Sequence, residues 1–210
     1  MLQKAKQIKS ISRNVYNRSQ REKLENPNLT LLSNNCFGGY LMHDLGMRFN
    51  TPFVNLWISP ADFILYCSSI NNYIDKELQF IKSEYQYPVA VLDNITLYFA
   101  HYNSQEEAEK KWRQRTLRIN LSNLFIVMLQ SNGWEYQNLV DFEKLNIKNK
   151  VCLTFQEYPE FKSAFHINGF ESKHDVGTCG YFLSPFSIKK HYDTFPWVEW
   201  FNGSDINCSK

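Results

Sequence analysis

The chain has 210 residues, 43% of them hydrophobic and 21% charged. That is a globular balance which excludes disorder and leaves enough apolar material for a sizeable core. The length fits one domain with room for a small second lobe, and the formal net charge of +2 argues for no partner class by itself. Aromatic residues are abundant, at 16%.

The small net charge conceals a split. Residues 1–25 carry Lys4, Lys6, Lys9, Arg13, Arg18, Arg21 and Lys23 against Glu22 and Glu25, for +5, and the rest of the chain carries −3. Residues 1–26 therefore read as a basic helical arm, either a solubilising face or a contact for anionic lipid, nucleic acid or an acidic partner. Nucleic acid ranks last, because the body is acidic and the basic groups lie in one short arm. Leu29–Leu32 reads as a buried strand, Ser33–Gly39 as a polar turn and Tyr40–Gly46 as a short helix. A second strand is expected over Phe53–Ile58. Ser59, Pro60 and Asp62 then supply an N-cap, a first-turn proline and a first-turn acid for a helix reaching about Ile70. Another helix is expected over Ile74–Ser83. Pro88–Leu92 and Ile95–Tyr102 read as β segments joined by a turn at Asp93-Asn94. Ser104 and Glu107 form a capping box for a helix to about Leu117. Leu124–Leu129, Val151–Phe155, Phe165–Ile167 and Tyr181–Leu183 read as strands, with a helix over Trp134–Phe142. Strands alternating with helices predict an α/β fold: a Rossmann-like mixed sheet flanked by helices, with a small irregular C-terminal cap. The division is an arm (1–26), an α/β domain (27–158) and an aromatic-rich lobe of the same globule (159–210).

No apolar stretch follows the N-terminal basic residues, so no secretory signal is read. No window approaches the roughly 18 apolar residues of a membrane span. Cys36, Cys67, Cys152, Cys179 and Cys208 show no CxxC spacing, and the five histidines show no HExxH pattern. A reduced, cytoplasmic protein without a metal site is expected.

Three segments carry candidate chemistry. The Ser33–Gly39 turn runs from a strand into a helix, a place that suits phosphate or carboxylate. The alternative is a tight turn in which Asn34 and Asn35 satisfy backbone groups. Cys36 is a candidate nucleophile if the helix end lowers its pKa, with His43 or His101 as base; otherwise it is a buried, inert thiol. In His101–Asn120, three Glu-first i,i+4 pairs (106/110, 107/111, 109/113) account for much of the charge. They leave Arg115 and Arg118, beside Trp112, to clamp a phosphate or carboxylate or to form a solvated face. Tyr181–Phe201 holds eight aromatics, suited to a sugar ring or to packing.

Ser33-Asn-Asn-Cys-Phe-Gly-Gly39 and His101-Tyr-x-Ser-x-Glu-Glu-Ala-x-x-Lys-Trp112, with the motifs around Asn50, Ser59, Tyr87, Arg115 and Lys148, resemble a bacterial family of unknown function over about residues 29–155. Its members are commonly labelled exopolysaccharide or capsular polysaccharide biosynthesis proteins. The resemblance implies an α/β fold and a cytoplasmic role in making a surface polysaccharide. It groups Asn34, Asn35, Cys36, Gly38, Gly39, His101, Trp112, Arg115 and Arg118 as one site, with Asp62 as a further substrate-binding residue. The expected activity is that of a transferase with His101 as base and a nucleotide-sugar or acyl donor as substrate, no other cofactor being evident. The alternative is a non-catalytic accessory protein that binds polysaccharide synthesis proteins.

Overall fold

The structure, a computed structural model, describes residues 2–131 and 133–206; Cys208 lies outside them, and the side chains of Lys4 and Lys6 are not among those described. In chain order the elements are α1 (Leu2–Lys23), β1 (Thr30–Ser33), α2 (Phe37–Asp44), β2 (Trp57–Ile58), α3 (Pro60–Ser68), α4 (Ile70–Ile74), β3 (Gln79–Ile81), β4 (Val89–Leu92), β5 (Ile95–Tyr98), α5 (Gln105–Thr116), β6 (Leu124–Leu129), α6 (Tyr136–Lys144), β7 (Asn149–Thr154), β8 (Ala164–His166) and α7 (Trp197–Phe201). Among the described residues no helix is long and apolar enough to cross a membrane.

An α/β architecture results, with its strands segregated into two sheets instead of mixed in one. The first, in the order β1-β6-β7-β8, is parallel throughout. The second, in the order β2-β5-β4-β3, is antiparallel. Continuous apolar runs mark the parallel strands because both faces are covered. Alternate residues serve different cores. Leu31, Phe125, Val127, Leu129, Val151 and Leu153 pack with α2, α7 and the chain after β8. Leu32, Ile126, Met128 and Cys152 pack with α3, α6 and the antiparallel sheet.

Local signals explain most boundaries. The Ser59 hydroxyl accepts from the Asp62 amide at 3.1 Å to start α3, and Ser104 does the same for Glu107 at 3.2 Å to start α5. The β4–β5 hairpin turns at Asp93, which adopts φ 59°, a conformation that Asp tolerates. On α5 the Glu109–Arg113 pair forms at 2.9 Å, and Arg113 also reaches Glu77. The expected 106/110 and 107/111 pairs do not form among the described residues, and Glu107 bends back to accept from the Asn103 amide.

Three expected elements differ. Only the last two residues of Phe53–Ile58 are strand, because Asn55 takes φ 65° and breaks the extended path. The expected helix over Ile74–Ser83 is instead the end of α4 followed by β3, since Gln79–Ile81 finds a pairing partner in Val89–Val91. Tyr181–Leu183 contributes a single bridge, Phe182 with Lys190.

The arm and the C-terminal segment pack together. Lys9 donates to the Ser184 and Pro185 carbonyls, and Arg13 is buried against Asp44 and Asp193. Five of the eight aromatics between 181 and 201 (Tyr192, Phe195, Trp197, Trp200, Phe201) are core residues. Tyr181 and Phe186 remain exposed.

Candidate functional site

The helices that follow β1 and β6 lie on opposite faces of the parallel sheet, as the two cores show. The loops leaving these neighbouring strands therefore diverge at their carboxyl ends, the place where α/β folds bind ligands. Two carboxamides tie the strand ends together there. Asn34 donates to the Leu129 carbonyl at 3.1 Å and accepts from the Leu129 amide at 2.9 Å, adding a side-chain rung between β1 and β6. Gln130 accepts from the Phe155 amide at 2.9 Å and donates to the Tyr158 hydroxyl, tying β6 to the end of β7. Asn35 accepts from the Phe37 amide at 2.9 Å at the start of α2. Gly38 allows α2 to close on β1, because a Cβ there would sit 2.9 Å from the Ser33 Cβ.

A cavity of about 480 Å³ lies beside this turn, lined by Asn35, Cys36, Tyr40, Thr178, Tyr181 and Lys190 among others. Both tyrosines are more than half exposed, so their rings are available to a ligand. The Lys190 ammonium is fixed by Asp44 at 2.8 Å. Asp44 in turn accepts from Arg13 at 2.8 Å and makes a short hydrogen bond with the Tyr192 hydroxyl. Burial alone would raise the Asp44 carboxyl, but the hydrogen bonds from Lys190, Tyr192 and Arg13 outweigh it and hold the group well below the usual carboxylate range. Burial pushes the Cys36 thiol up, and the thiol faces the Leu56 carbonyl at 3.6 Å. At neutral pH it is therefore protonated, the opposite of the lowering that a nucleophilic role for Cys36 requires.

The remaining candidates are strung along residues 49–58 and do not converge on that cavity. Arg118 donates to the Phe49 carbonyl at 3.3 Å. Arg115 donates to the Tyr102 hydroxyl at 2.7 Å, and that hydroxyl donates to the Val54 carbonyl at 2.8 Å. The His101 amide donates to the Asn55 carbonyl, and the Ile58 amide to the Asn34 carbonyl. Gly39 lies against Val54, where a Cβ would meet the valine at 3.4 Å. Asn35 and Cys36 line the cavity; His101, Arg115 and Arg118 do not. Trp112 packs edge-on against Phe53 and Phe99. Asp62 accepts from the Thr96 amide at 3.0 Å and pins α3 to β5. Tyr40, Thr178 and Lys190 escaped sequence reasoning. Nothing in the local sequence around Lys190 signals a charge brought to β1 from more than 140 residues away. Among the described residues no group of three or more His, Cys, Asp or Glu side chains is placed to hold a metal.

Fold and cavity together define an α/β protein with a ligand-sized recess at the carboxyl end of a parallel strand. The chain belongs to the family described as "Domain of unknown function (DUF1919)", which matches residues 7–202, a span well beyond the motifs at 29–155. A Haemophilus influenzae protein described as "Uncharacterized protein" is 44% identical over 186 residues, covering 89% of this chain and 90% of the relative. Membership of an unknown-function family agrees with that part of the resemblance seen in the motifs; neither match carries a polysaccharide description.

Proposed function

We propose that the protein binds a sugar or nucleotide sugar in the cavity beside the β1–α2 turn and acts as a cytoplasmic transferase in surface-polysaccharide synthesis. The observation that carries this reading is the lining: exposed rings of Tyr40 and Tyr181, hydrogen-bonding side chains of Asn35 and Thr178, and one fixed cation, Lys190. Aromatic faces suit the C–H faces of a pyranose, small polar groups suit its hydroxyls, and an ammonium suits a phosphate. In such a transfer the bond from the anomeric carbon to the donor phosphate breaks, an acceptor hydroxyl takes that carbon, and the nucleotide leaves with the phosphate charge that Lys190 would balance. His101 stands outside the cavity lining, so its expected role as base requires the acceptor to approach from the 49–58 side.

The test is titration of the full chain with a panel of uridine, guanosine and thymidine diphosphate sugars, followed by NMR and thermal shift. Perturbed signals at Tyr40, Tyr181 and Lys190 that disappear in Tyr181→Ala and Lys190→Met support the reading. No binding by any member of the panel refutes it. The accessory-protein reading has one observation in its favour, the exposed aliphatic stripe of Ile8, Ile11 and Val15 on α1. Loss of capture of the synthesis proteins on changing all three to Ser, with nucleotide-sugar binding absent, would favour it instead.

A further inference from the structure

We propose that Arg48, Arg115 and Arg118 form a second, independent anion site, at the amino end of the parallel sheet, that takes a phosphate- or carboxylate-bearing ligand. Its position is fixed by two contacts. The Asn120 amide donates to the Thr30 hydroxyl at 2.7 Å, and Asn50 donates to the Leu29 carbonyl. Both anchors sit where β1 begins, whereas the Asn35–Cys36 turn lies where β1 ends. The proposal therefore does not rest on the reading of the carboxyl-end cavity.

Phe49 is the hub. Arg115 places its guanidinium 5.5 Å from the Phe49 ring centroid, Arg118 donates to the Phe49 carbonyl, and Arg48 is the preceding residue. Cation–π contact and hydrogen bonds to neutral acceptors orient the Arg115 and Arg118 groups without neutralising them. Of the other arginines, Arg13 pairs with Asp44 and Asp193, Arg18 with Glu22 and Arg113 with Glu77 and Glu109, while Arg21 donates to the His43 and Asp44 carbonyls. No carboxylate among the described residues pairs with Arg48, Arg115 or Arg118, and Arg48 makes no side-chain hydrogen bond with them either. Desolvation, and then the like charges of Arg48 and Arg115, hold the Arg118 guanidinium below its ordinary range. Arg115 and Arg118 are oriented on Phe49, and Arg48, exposed on the preceding residue, adds a third charge without a carboxylate partner, a set of like charges that an anion would balance. In Arg115 and Arg118 only Nη1 is engaged, which leaves Nε and Nη2 to present the fork that fits phosphate or carboxylate oxygens.

Calorimetric titration of the full chain at low ionic strength, where exposed charges are least screened, tests the site with two probes: inorganic pyrophosphate and tri-galacturonate. Saturable binding of either, weakened by about tenfold or more (about 1.4 kcal/mol) in each of Arg48→Gln and Arg118→Gln, supports the proposal, and the probe that binds names the ligand chemistry. The apo melting temperature of Arg48→Gln is expected to equal or exceed that of the parent, so loss of binding is not loss of fold. Absence of saturation of both probes up to about 10 mM, or unchanged binding by the double variant, overturns it.

Discussion

Replacing Asp44 by asparagine tests whether the buried charge cluster, and with it the position of Lys190, is held electrostatically. The carboxylate accepts from Arg13, Lys190 and Tyr192, and the Arg13 and Asp44 side chains are only 7% and 14% exposed. Breaking a buried ion pair by removing one partner costs roughly 3–5 kcal/mol. Arg13 keeps Asp193 as a second carboxylate and the Lys190 side chain is 18% exposed, so the expected loss is smaller, about 2–3 kcal/mol. For a chain of this size that lowers the melting temperature by about 4–12 °C. Because the folded carboxyl lies below its unfolded value of about 3.9, its contribution is fully present above that pH. It fades as pH falls towards the depressed folded value. The gap between parent and Asp44→Asn, measured by urea unfolding, should therefore be constant from about pH 7 to 5 and shrink below about pH 4. A gap under about 0.5 kcal/mol at neutral pH, or one that does not change on acidification, refutes this account.

The β1–α2 turn offers three sharper checks. Asn34→Ala leaves the Leu129 amide without its side-chain acceptor and the Leu129 carbonyl with the more distant Ser131 hydroxyl, at 3.4 Å, as its side-chain donor; a loss of about 1–3 kcal/mol and much faster hydrogen exchange at Leu129 are expected, and unchanged exchange contradicts the rung. Gly38→Ala drives a Cβ to 2.9 Å from Ser33, whereas Gly39→Ala meets Val54 at an ordinary 3.4 Å. The first is expected to lose about 1–2 kcal/mol net of the helix preference of alanine and the second to be neutral or slightly stabilising, an order that thermal melts decide. For Cys36, burial predicts slow iodoacetamide labelling at neutral pH, with the rate still climbing beyond the ordinary thiol value of about 8.5; fast labelling at pH 7 would restore the nucleophile.

Elements whose signals are local are readable from the residues alone. The apolar run at 124–129, the Ser59-Pro60 and Ser104 caps and the Asp93-Asn94 turn each specify their structure within a few residues. What fails is decided at a distance. Gln79–Ile81 carries no strand signal of its own and becomes β3 because Val89–Val91 offers unpaired backbone groups. The separation into two sheets follows from which core each strand serves, which periodicity within one strand does not reveal. Of the residues that line the cavity, Asn35 and Cys36 lie in a turn that the local sequence marks. Tyr181 was visible only within a general aromatic excess. Lys190 reaches the cavity through a network spanning α1, α2 and the C-terminal segment.

Residues 49–58 explain why so many chemically suggestive side chains fall outside the cavity. This stretch runs from the amino end of β1 to its carboxyl end, yet it is nearly all non-strand, and the positive φ of Asn55 keeps it so. Its buried carbonyls still need donors. Arg118 serves Phe49, Tyr102 with Arg115 serves Val54, the His101 amide serves Asn55, and the Cys36 thiol lies by Leu56. Residue types that make good ligand contacts are the same types that satisfy an irregular backbone, so their presence in one motif is equally the signature of a segment that must be held in place. Arg48 breaks that equivalence. It lies on the same seam and adds charge to Arg115 and Arg118 while supporting no carbonyl, so the packing of the seam does not account for it. Arg48→Gln should leave the fold intact and remove only what the cluster binds, whereas Arg115→Gln, which loses the Tyr102 contact, should lower stability and binding together.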